Sequence, residues 1–461
     1  MVTNTNEQQE LRRGLNNRHI QMIALGGAIG TGLFYGSATT IKLVGPAITL
    51  SYLIGGLVIF FIMRALGEMS ADHPVSGSFS QYAYQNWGEF PGFLSGWNYW
   101  FNYIVVSMAE LSVVGIYVNF WFPGVPTWVS SLIFLVVITA INLINVKLYG
   151  EFEFWFAIIK VAAIISMIVL GILIIFFGIG NHGQATGFSN LWVHGGFFPN
   201  GITGLLLSLV IVMFSFGGVE LIGITAGEAA NPSKTIPKAI NQVVWRILIF
   251  YIGALAVMLT LFPWNQLEQT GSPFVEIFSK MGIPAAAGIL NVVVLTAALS
   301  AYNSSLYSNG RMLHGLALQG NAPKIFAKVG KSGTPTAGIL VSSALTLVTV
   351  AMNYLVPGKV FVYLISIATF AGILNWTMIL ITQLKFRKAR SREEIAKLKF
   401  KLPLHPVSSY ICLAFMAMII VLMAFMPDMR VSLIIGPVWM LLLYSAYAIR
   451  KGAAKEEIKE A

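Results

Sequence analysis

The sequence predicts an all-α polytopic membrane protein, and three observations lead to this fold class. Of its 461 residues, 56% are hydrophobic and only 10% are charged, with a mean hydropathy of +0.76. A soluble domain of this size needs far more charge on its surface. The apolar residues form runs of about 20, the length of a helix that crosses a bilayer. The basic residues are concentrated in alternate loops, as in membrane proteins of fixed orientation. A porin-type barrel is excluded, because its short strands would alternate apolar and polar residues.

Twelve membrane spans are predicted from the apolar runs. They are placed at 19–42, 46–66, 91–121, 127–147, 151–178, 201–228, 242–263, 282–313, 335–355, 359–384, 406–426 and 431–449. The polar connection between spans 2 and 3, residues 67–90, is long enough to carry an amphipathic helix of its own.

The distribution of lysine and arginine predicts the orientation in the membrane. With the N-terminus inside, 24 of the 29 basic residues lie on the cytoplasmic side. Only Lys42, Lys280, Lys359 and Arg430 lie outside, and Lys160 falls within a span. Both termini are therefore expected in the cytoplasm of a cell with this protein in its inner or plasma membrane. No cleavable signal peptide is expected, because the first 18 residues are polar and the first apolar run is followed at once by further spans.

Composition also excludes several functional classes. The single Cys412 rules out an intramolecular disulfide framework and any multi-cysteine metal site. The net charge of +11 reflects the loops rather than a nucleic-acid surface, and no obligate protein partner is evident. The sequence contains neither an HExxH motif nor a Walker loop, so neither an enzyme nor an ATP-driven pump is expected. No metal and no cofactor are expected.

A glycine-rich stretch in span 1 has a counterpart in span 6. Residues 25–34, LGGAIGTGLF, contain four glycines, which are poor helix formers. Such a stretch in a membrane helix is either packed closely against a neighbour or unwound, and the residues alone leave both open. In span 6, residues 216–223 read FGGVELIG, and three glycines coincide at an offset of 191 residues. Because the offset is five spans, an odd number, the second copy crosses the membrane in the opposite direction, as in transporters built from inverted repeats.

Five blocks of sequence identify a family resemblance that covers nearly the whole chain. The blocks are 12–27 (RRGLNNRHIQMIALGG), 63–69 (MRALGEM), 77–79 (GSF), 150–160 (GEFEFWFAIIK) and 223–232 (GITAGEAANP). The chain resembles a bacterial amino acid permease of the amino acid–polyamine–organocation (APC) superfamily, in its amino acid transporter (AAT) branch. It resembles aromatic amino acid, proline and threonine/serine permeases about equally well. The resemblance implies a LeuT-like fold of two inverted five-helix repeats plus two extra helices, with spans 1 and 6 unwound at mid-membrane, and uptake driven by protons.

The resulting organisation has six parts. They are an N-terminal tail (1–18), a first five-helix repeat (19–178), a second inverted repeat (201–384), a basic cytoplasmic loop (385–405), helices 11 and 12 (406–449) and a C-terminal tail (450–461).

The two predicted breaks suit the two charged groups of an amino acid. The unpaired N–H groups that begin a half-helix just after Gly30, Thr31 and Gly32 favour a carboxylate, and the carbonyl groups before Gly217 favour an ammonium group. The resemblance places the substrate contacts at Ala28, Ile29, Thr31, Gly32, Phe214, Ser215, Phe216 and Gly218, with Phe216 as a gate over the substrate. Thr369 in span 10 is expected to shape the side-chain pocket. Ordinary packing in the helix bundle remains the alternative for both phenylalanines.

Lys160 is the second strong signal in the sequence. It lies about nine residues into span 5, roughly 14 Å deep. An ionised lysine at that depth costs about 2.5–3.5 kcal/mol. The resemblance places this lysine where sodium-coupled relatives bind sodium, beside the carbonyl groups of Gly26 and Ile29 and the hydroxyls of Ser300 and Ser304. A proton-coupling lysine and a permanently charged lysine that braces helices both remain open.

Two buried carboxyl groups are further candidates. Glu110 shares one face of span 3 with Tyr103 and Ser107, and it is expected to bind the substrate ammonium or to carry the proton. Glu220 follows the break in span 6 and is expected to titrate during transport. Each of the two is alternatively a neutral structural carboxylic acid.

A proton-coupled symporter that imports an amino acid by alternating access is the function predicted. An exchanger of the same fold is the alternative, and a channel fits two discontinuous helices less well. The substrate stays open among neutral, aromatic, proline-like and histidine-like amino acids, because residues 214–218 resemble aromatic permeases whereas residues 34–38 and 311–315 resemble proline permeases.

Overall fold

The computed structural model describes residues 22, 29–75, 78–144, 146–179, 183–225, 232–267, 271–280, 284–330, 333–356 and 359–460. All regular secondary structure in these segments is helical. Ten helical stretches are long and apolar enough to cross a membrane, and Gly201–Ser215 is a shorter apolar helix. The predicted class, an integral membrane protein built of helices, is confirmed. The count of twelve spans and the relation between two repeats stay predictions, as does the division into six parts.

Twelve helical segments correspond in position to the predicted spans. They are α1 (Gly36–Val44), α2 (Ile48–Asp72), α3 (Glu89–Asn119), α4 (Thr127–Ile144), α5 (Val146–Phe177), α6 (Gly201–Ser215), α7 (Pro232–Arg246, continued by the π-helical Ile247–Gly253 and by Ala254–Leu261), α8 (Pro284–Leu318), α9 (Thr336–Leu355), α10 (Val360–Lys388), α11 (Val407–Ala424) and α12 (Val431–Glu460). The connection between α2 and α3 carries the expected additional helix, Ser78–Asn86.

Helix α3 lies at the centre of the bundle, packed against α8 on one side and α10 on the other. In α3 and α10, 72% of the 18-residue apolar stretch of each helix is buried inside the protein. The corresponding share is 33% in α4, α5 and α11 and 17% in α12. Because these four helices expose most of their apolar surface, they form the periphery of the bundle that faces lipid.

Polar side chains join neighbouring helices inside the bundle. Asn98 of α3 donates to the Ala371 carbonyl (2.9 Å) and to Asn375 Oδ1 (2.7 Å) of α10. Asn142 of α4 donates to Asn303 Oδ1 of α8 at 2.8 Å. Such hydrogen bonds hold helices together where no water competes for the polar groups.

One buried ion pair fixes the basic loop to the bundle. Glu68 of α2 is fully buried and accepts hydrogen bonds from Arg387 Nε (2.6 Å) and Nη2 (2.5 Å) at the end of α10. The same carboxylate accepts from the Leu402 backbone N–H at 2.5 Å and from Gln383 at 3.2 Å. Because every oxygen of Glu68 is paired, α2, α10 and the loop that follows α10 are held in one arrangement.

Candidate functional site

The described part of span 1 begins in an extended conformation and becomes helical at Thr31. Gly30 has φ −121° and ψ −154°, and a helix covers Thr31–Phe34 before α1 starts at Gly36. The Thr31 N–H donates to both oxygens of Glu110 in α3, at 3.3 and 3.2 Å. Glu110 therefore occupies the N–H group of Thr31, a residue that the family resemblance placed in contact with the substrate. Ala28 and Gly26 lie outside the described residues, so their predicted contacts stay predictions.

Helix α6 is followed by a short stretch of turns, and the unwinding of span 6 stays a prediction. Helix α6 ends at Ser215, residues 216–220 form turns, and a short helix resumes at Leu221–Thr225. Gly218 has φ +95°, a conformation that only glycine adopts without strain. Glu220 folds back into this interruption, accepting from the Gly218 N–H (3.4 Å), the Tyr103 hydroxyl (3.3 Å) and the Trp376 indole N–H (3.4 Å). Tyr103 was predicted to share a face of span 3 with Glu110, and the Tyr103 hydroxyl binds Glu220.

Span 1 and the end of α6 meet at a close contact between backbones. A Cβ atom added to Gly32 would lie 2.7 Å from the Cα of Ser215, so only glycine fits at this position. Two tyrosines hold Ser215 from the opposite side. Tyr52 of α2 lies 2.9 Å from its hydroxyl, and Tyr251, in the π-helical part of α7, donates to its carbonyl at 3.0 Å. The end of α6 is therefore fixed from α2 and α7 as well as from span 1.

A small cavity of about 40 Å³ lies between the start of the span 1 helix and the end of α6. It is lined by Gly30, Gly32, Asn102, Tyr103, Val106, Glu110, Phe214, Ser215, Gly217, Gly218, Leu221, Ala301, Ser304 and Ser305. The lining includes six of the predicted site residues and adds Asn102, which the sequence analysis did not identify.

The two predicted phenylalanines differ in their surroundings. Phe214 lines the cavity and lies edge-on to the ring of Phe361, 6.2 Å away. The Phe216 ring is fully buried between Tyr52 and Tyr251, at ring-centre distances of 5.7 and 5.3 Å. The gate role of Phe216 stays a prediction. In this structure the turn after Ser215 directs the Phe216 ring towards α2 and α7, whereas Phe214 lines the cavity.

Thr369 is also outside the cavity lining. It is buried within α10, and its hydroxyl donates to the Ile365 carbonyl of its own helix at 2.6 Å. In this structure it therefore satisfies its polar group locally rather than in the cavity.

Lys160 lies against the described start of span 1, at Ile29. It is fully buried, and its Nζ donates to the Ile29 carbonyl at 3.2 Å and to Ser300 Oγ at 2.8 Å. These are two of the neighbours that the family resemblance implied. Ser300 in turn donates to Glu153 Oε1 at 2.5 Å, and Ser304 lies beside the same carboxyl group. A chain of hydrogen bonds thus runs from Ile29 through Lys160 and Ser300 to Glu153.

Glu153 is one of the residues that were not predicted from the sequence. The helical period contained the signal, because Glu153 and Lys160 are seven residues apart and therefore share one face of α5. The structure shows that face as the buried stripe of an otherwise lipid-exposed helix. Trp376 was also missed, and no local pattern in span 10 links it to Glu220.

The described residues were also considered as metal ligands. Among the residues that the structure describes, no group of three or more His, Cys, Asp or Glu side chains could hold a metal ion.

Comparison with known proteins decides the family. The model of the family described as amino acid permease matches residues 19–460. The chain belongs to the amino acid permease family. This membership, within the APC superfamily, identifies an integral membrane transporter for amino acids rather than an enzyme.

Individual relatives align with the permease over nearly its full length. It is 55% identical over 441 residues to the uncharacterized amino acid permease YtnA of Bacillus subtilis (strain 168), covering 96% of this chain and 95% of that protein. It is 53% identical over 455 residues to the aromatic amino acid transport protein AroP of Escherichia coli (strain K12), covering 99% of both. AroP of Salmonella typhimurium (strain LT2) is 52% identical, again over 99% of both chains.

Proposed function

We propose that this permease is a proton-coupled symporter that imports aromatic amino acids by alternating access, with both termini in the cytoplasm. The observation that carries the proposal is the contact between the start of the span 1 helix and the end of α6, with the Glu110 carboxyl group on one side and the buried Lys160 behind it. Similarity to proteins named for aromatic amino acid transport supports the substrate class. No cofactor other than the coupling proton is proposed.

The cavity offers complementary groups for each part of such a substrate. The N–H groups at the start of the helical segment 31–44 favour the carboxylate. The side-chain oxygen of Asn102 is buried in the cavity wall, and no described residue donates to it, so it is available to the ammonium group. Tyr103, Val106, Phe214 and Leu221 present an apolar wall to the side chain.

The cavity at this site is small in the described structure. A cavity of about 40 Å³ holds only a few water molecules, since one water needs roughly 10–15 Å³ measured in this way. An aromatic amino acid therefore requires the walls to move apart before it binds. Movement of the α1 and α6 segments relative to α3 and α8 is how an inverted-repeat transporter exposes its site to one side at a time.

Coupling to protons follows from competition for one N–H group. Glu110 accepts from Thr31 N–H, where a substrate carboxylate would also bind. Two carboxylates cannot share this position, because like charges in a buried site repel strongly. Protonation of Glu110 removes its charge and weakens its hold on Thr31, so proton binding and substrate binding support each other. Lys160, which holds the Ile29 carbonyl, transmits changes of charge to the same segment.

The variant Glu110→Gln tests this competition. We expect phenylalanine to bind the native protein about tenfold more tightly at pH 5.5 than at pH 8, the scale usual for coupled sites. In Glu110→Gln the affinity should vary less than twofold over the same range, because glutamine carries no titrating charge. Binding of labelled phenylalanine to purified protein measures both. Glu89→Gln, an exposed position at the start of the same helix, is the control and should behave as native. A native pH dependence in Glu110→Gln would contradict the competition.

Transport in proteoliposomes tests the function as a whole. We expect uptake of labelled phenylalanine to be stimulated when the outside is acidified and to be indifferent to sodium. Uptake that demands sodium and ignores the proton gradient would overturn the symport proposal. Uptake that requires amino acid inside the vesicles would identify an exchanger instead.

Competition among amino acids in the same vesicles tests the substrate class. Unlabelled tyrosine and tryptophan should inhibit phenylalanine uptake, whereas proline, threonine and lysine should not. Inhibition by proline alone would refute the aromatic assignment.

A further inference from the structure

A second cavity lies far from the transport site, at the junction of α10 and α11. It is an open groove of about 480 Å³, here named the α10–α11 groove. Its lining residues are Ile381, Leu384, Lys385, Arg387, Lys388, Ile395, His405, Pro406 and Tyr410. The wall is apolar towards the body of α10 and basic towards its end.

The groove lies at the boundary between lipid and water. Helix α10 ends at Lys388 and α11 begins at Val407, so the groove is level with two helix ends. Large apolar side chains beside it are mostly left uncovered by the described residues. They include Val407, Tyr410 and Ile411, each about 60% exposed. Such residues in a membrane protein are covered by lipid, which places acyl chains directly against the groove.

The groove presents positive charge without a matching acid. No described Asp or Glu lines it. Arg387 is neutralised by its pairing with Glu68, which leaves Lys385 and Lys388 as the effective cations. Lys385 lies 5.7 Å from the centre of the Trp87 ring, and Lys388 forms no ion pair or hydrogen bond within the described part of the chain. Both lysines are exposed and are therefore able to reach an anion in the groove.

His405 supplies a separate indication of a ligand. Its Nε2 atom is shielded from water, yet no described residue forms a hydrogen bond with it. Burial and the nearby Arg387 guanidinium lower the pKa of His405, so the imidazole is neutral at pH 7 and the charge of the groove comes from the lysines. A shielded polar atom without a partner in a cavity wall marks a place where a ligand atom fits.

We propose that the α10–α11 groove binds the headgroup of an anionic phospholipid. Its phosphate lies between Lys385, Lys388 and His405, and its acyl chains follow Ile381 and the exposed face of α11. Basic pockets at the end of membrane helices favour such headgroups because the charge is matched at low dielectric. A bound headgroup also braces the loop that Glu68 ties to α2.

Lipid binding to purified, delipidated protein tests the proposal. We expect phosphatidylglycerol to raise the thermal unfolding midpoint, whereas phosphatidylcholine and inorganic phosphate do not. In the variant Lys385→Ala/Lys388→Ala, the affinity for phosphatidylglycerol measured by native mass spectrometry should fall about tenfold. The control is Lys397→Ala/Lys399→Ala, which removes the same charge from exposed positions of the same loop outside the groove and should retain native affinity.

Three results would overturn the proposal. Equal losses in both double variants would mean that the loop attracts lipid only through its overall charge. Equal stabilisation by phosphatidylcholine would remove the role of the anionic headgroup. Stabilisation by inorganic phosphate that depends on Lys385 and Lys388 would identify an ion site rather than a lipid site.

Discussion

Lys160→Ala is expected to abolish accumulation of amino acid against a gradient while preserving exchange across the membrane. A proton moving down a potential of 100 mV supplies about 2.3 kcal/mol, which supports roughly fiftyfold accumulation for one proton per substrate. Without the Lys160 ammonium, the Ile29 carbonyl is no longer linked to the Ser300–Glu153 pair. The start of span 1 therefore loses its hydrogen bond to α5. The accumulation ratio in energised proteoliposomes should therefore fall to about one.

Controls separate coupling from folding in this experiment. Lys359→Ala removes an exposed lysine at the start of α10 and should accumulate substrate normally. Because Lys160→Ala takes away the cation beside the buried Glu153, Lys160→Ala/Glu153→Gln also removes the acid and should restore stability without restoring accumulation. Full accumulation in either Lys160 variant would assign the lysine to bracing of helices alone.

Gly32→Ala should weaken substrate binding strongly. The added Cβ would lie 2.7 Å from the Ser215 Cα, and a backbone atom cannot rotate away as a side chain can. Span 1 and α6 must therefore move apart, at a cost of about 1–3 kcal/mol, which corresponds to a roughly ten- to hundredfold loss of affinity. Phenylalanine binding and the thermal unfolding midpoint measure the two effects.

The same substitution one turn along span 1 provides a matched control. A Cβ on Gly36 would have its nearest neighbours 3.8 Å away, an ordinary contact, so Gly36→Ala should bind substrate as the native protein does. If both variants bind equally, the contact between Gly32 and Ser215 does not define the site.

The candidate site shows how far sequence reasoning reaches. Glycine composition predicted a break in span 6, because helix propensity is a local property of the chain, and residues 216–220 form turns there. The depth of Lys160 predicted a buried cation, because position along a span sets depth in the membrane. Which groups satisfy a side chain depends instead on how neighbouring helices are rotated about their axes. For that reason the Glu110 contact with Thr31 and the Trp376 contact with Glu220 emerged only from the structure.

The sequence by itself determined the membrane class, the approximate positions of the spans and the family resemblance, since hydropathy and short motifs are local properties of the sequence. The tertiary structure decided which aromatic ring lines the cavity, which acid completes the Lys160 network and how large the cavity is. Phe214 and Phe216 are two residues apart and chemically identical, yet one lines the cavity and the other packs on Tyr52 and Tyr251. The path of the turn after Ser215 separates them, and that path is set by α2 and α7 rather than by the local sequence.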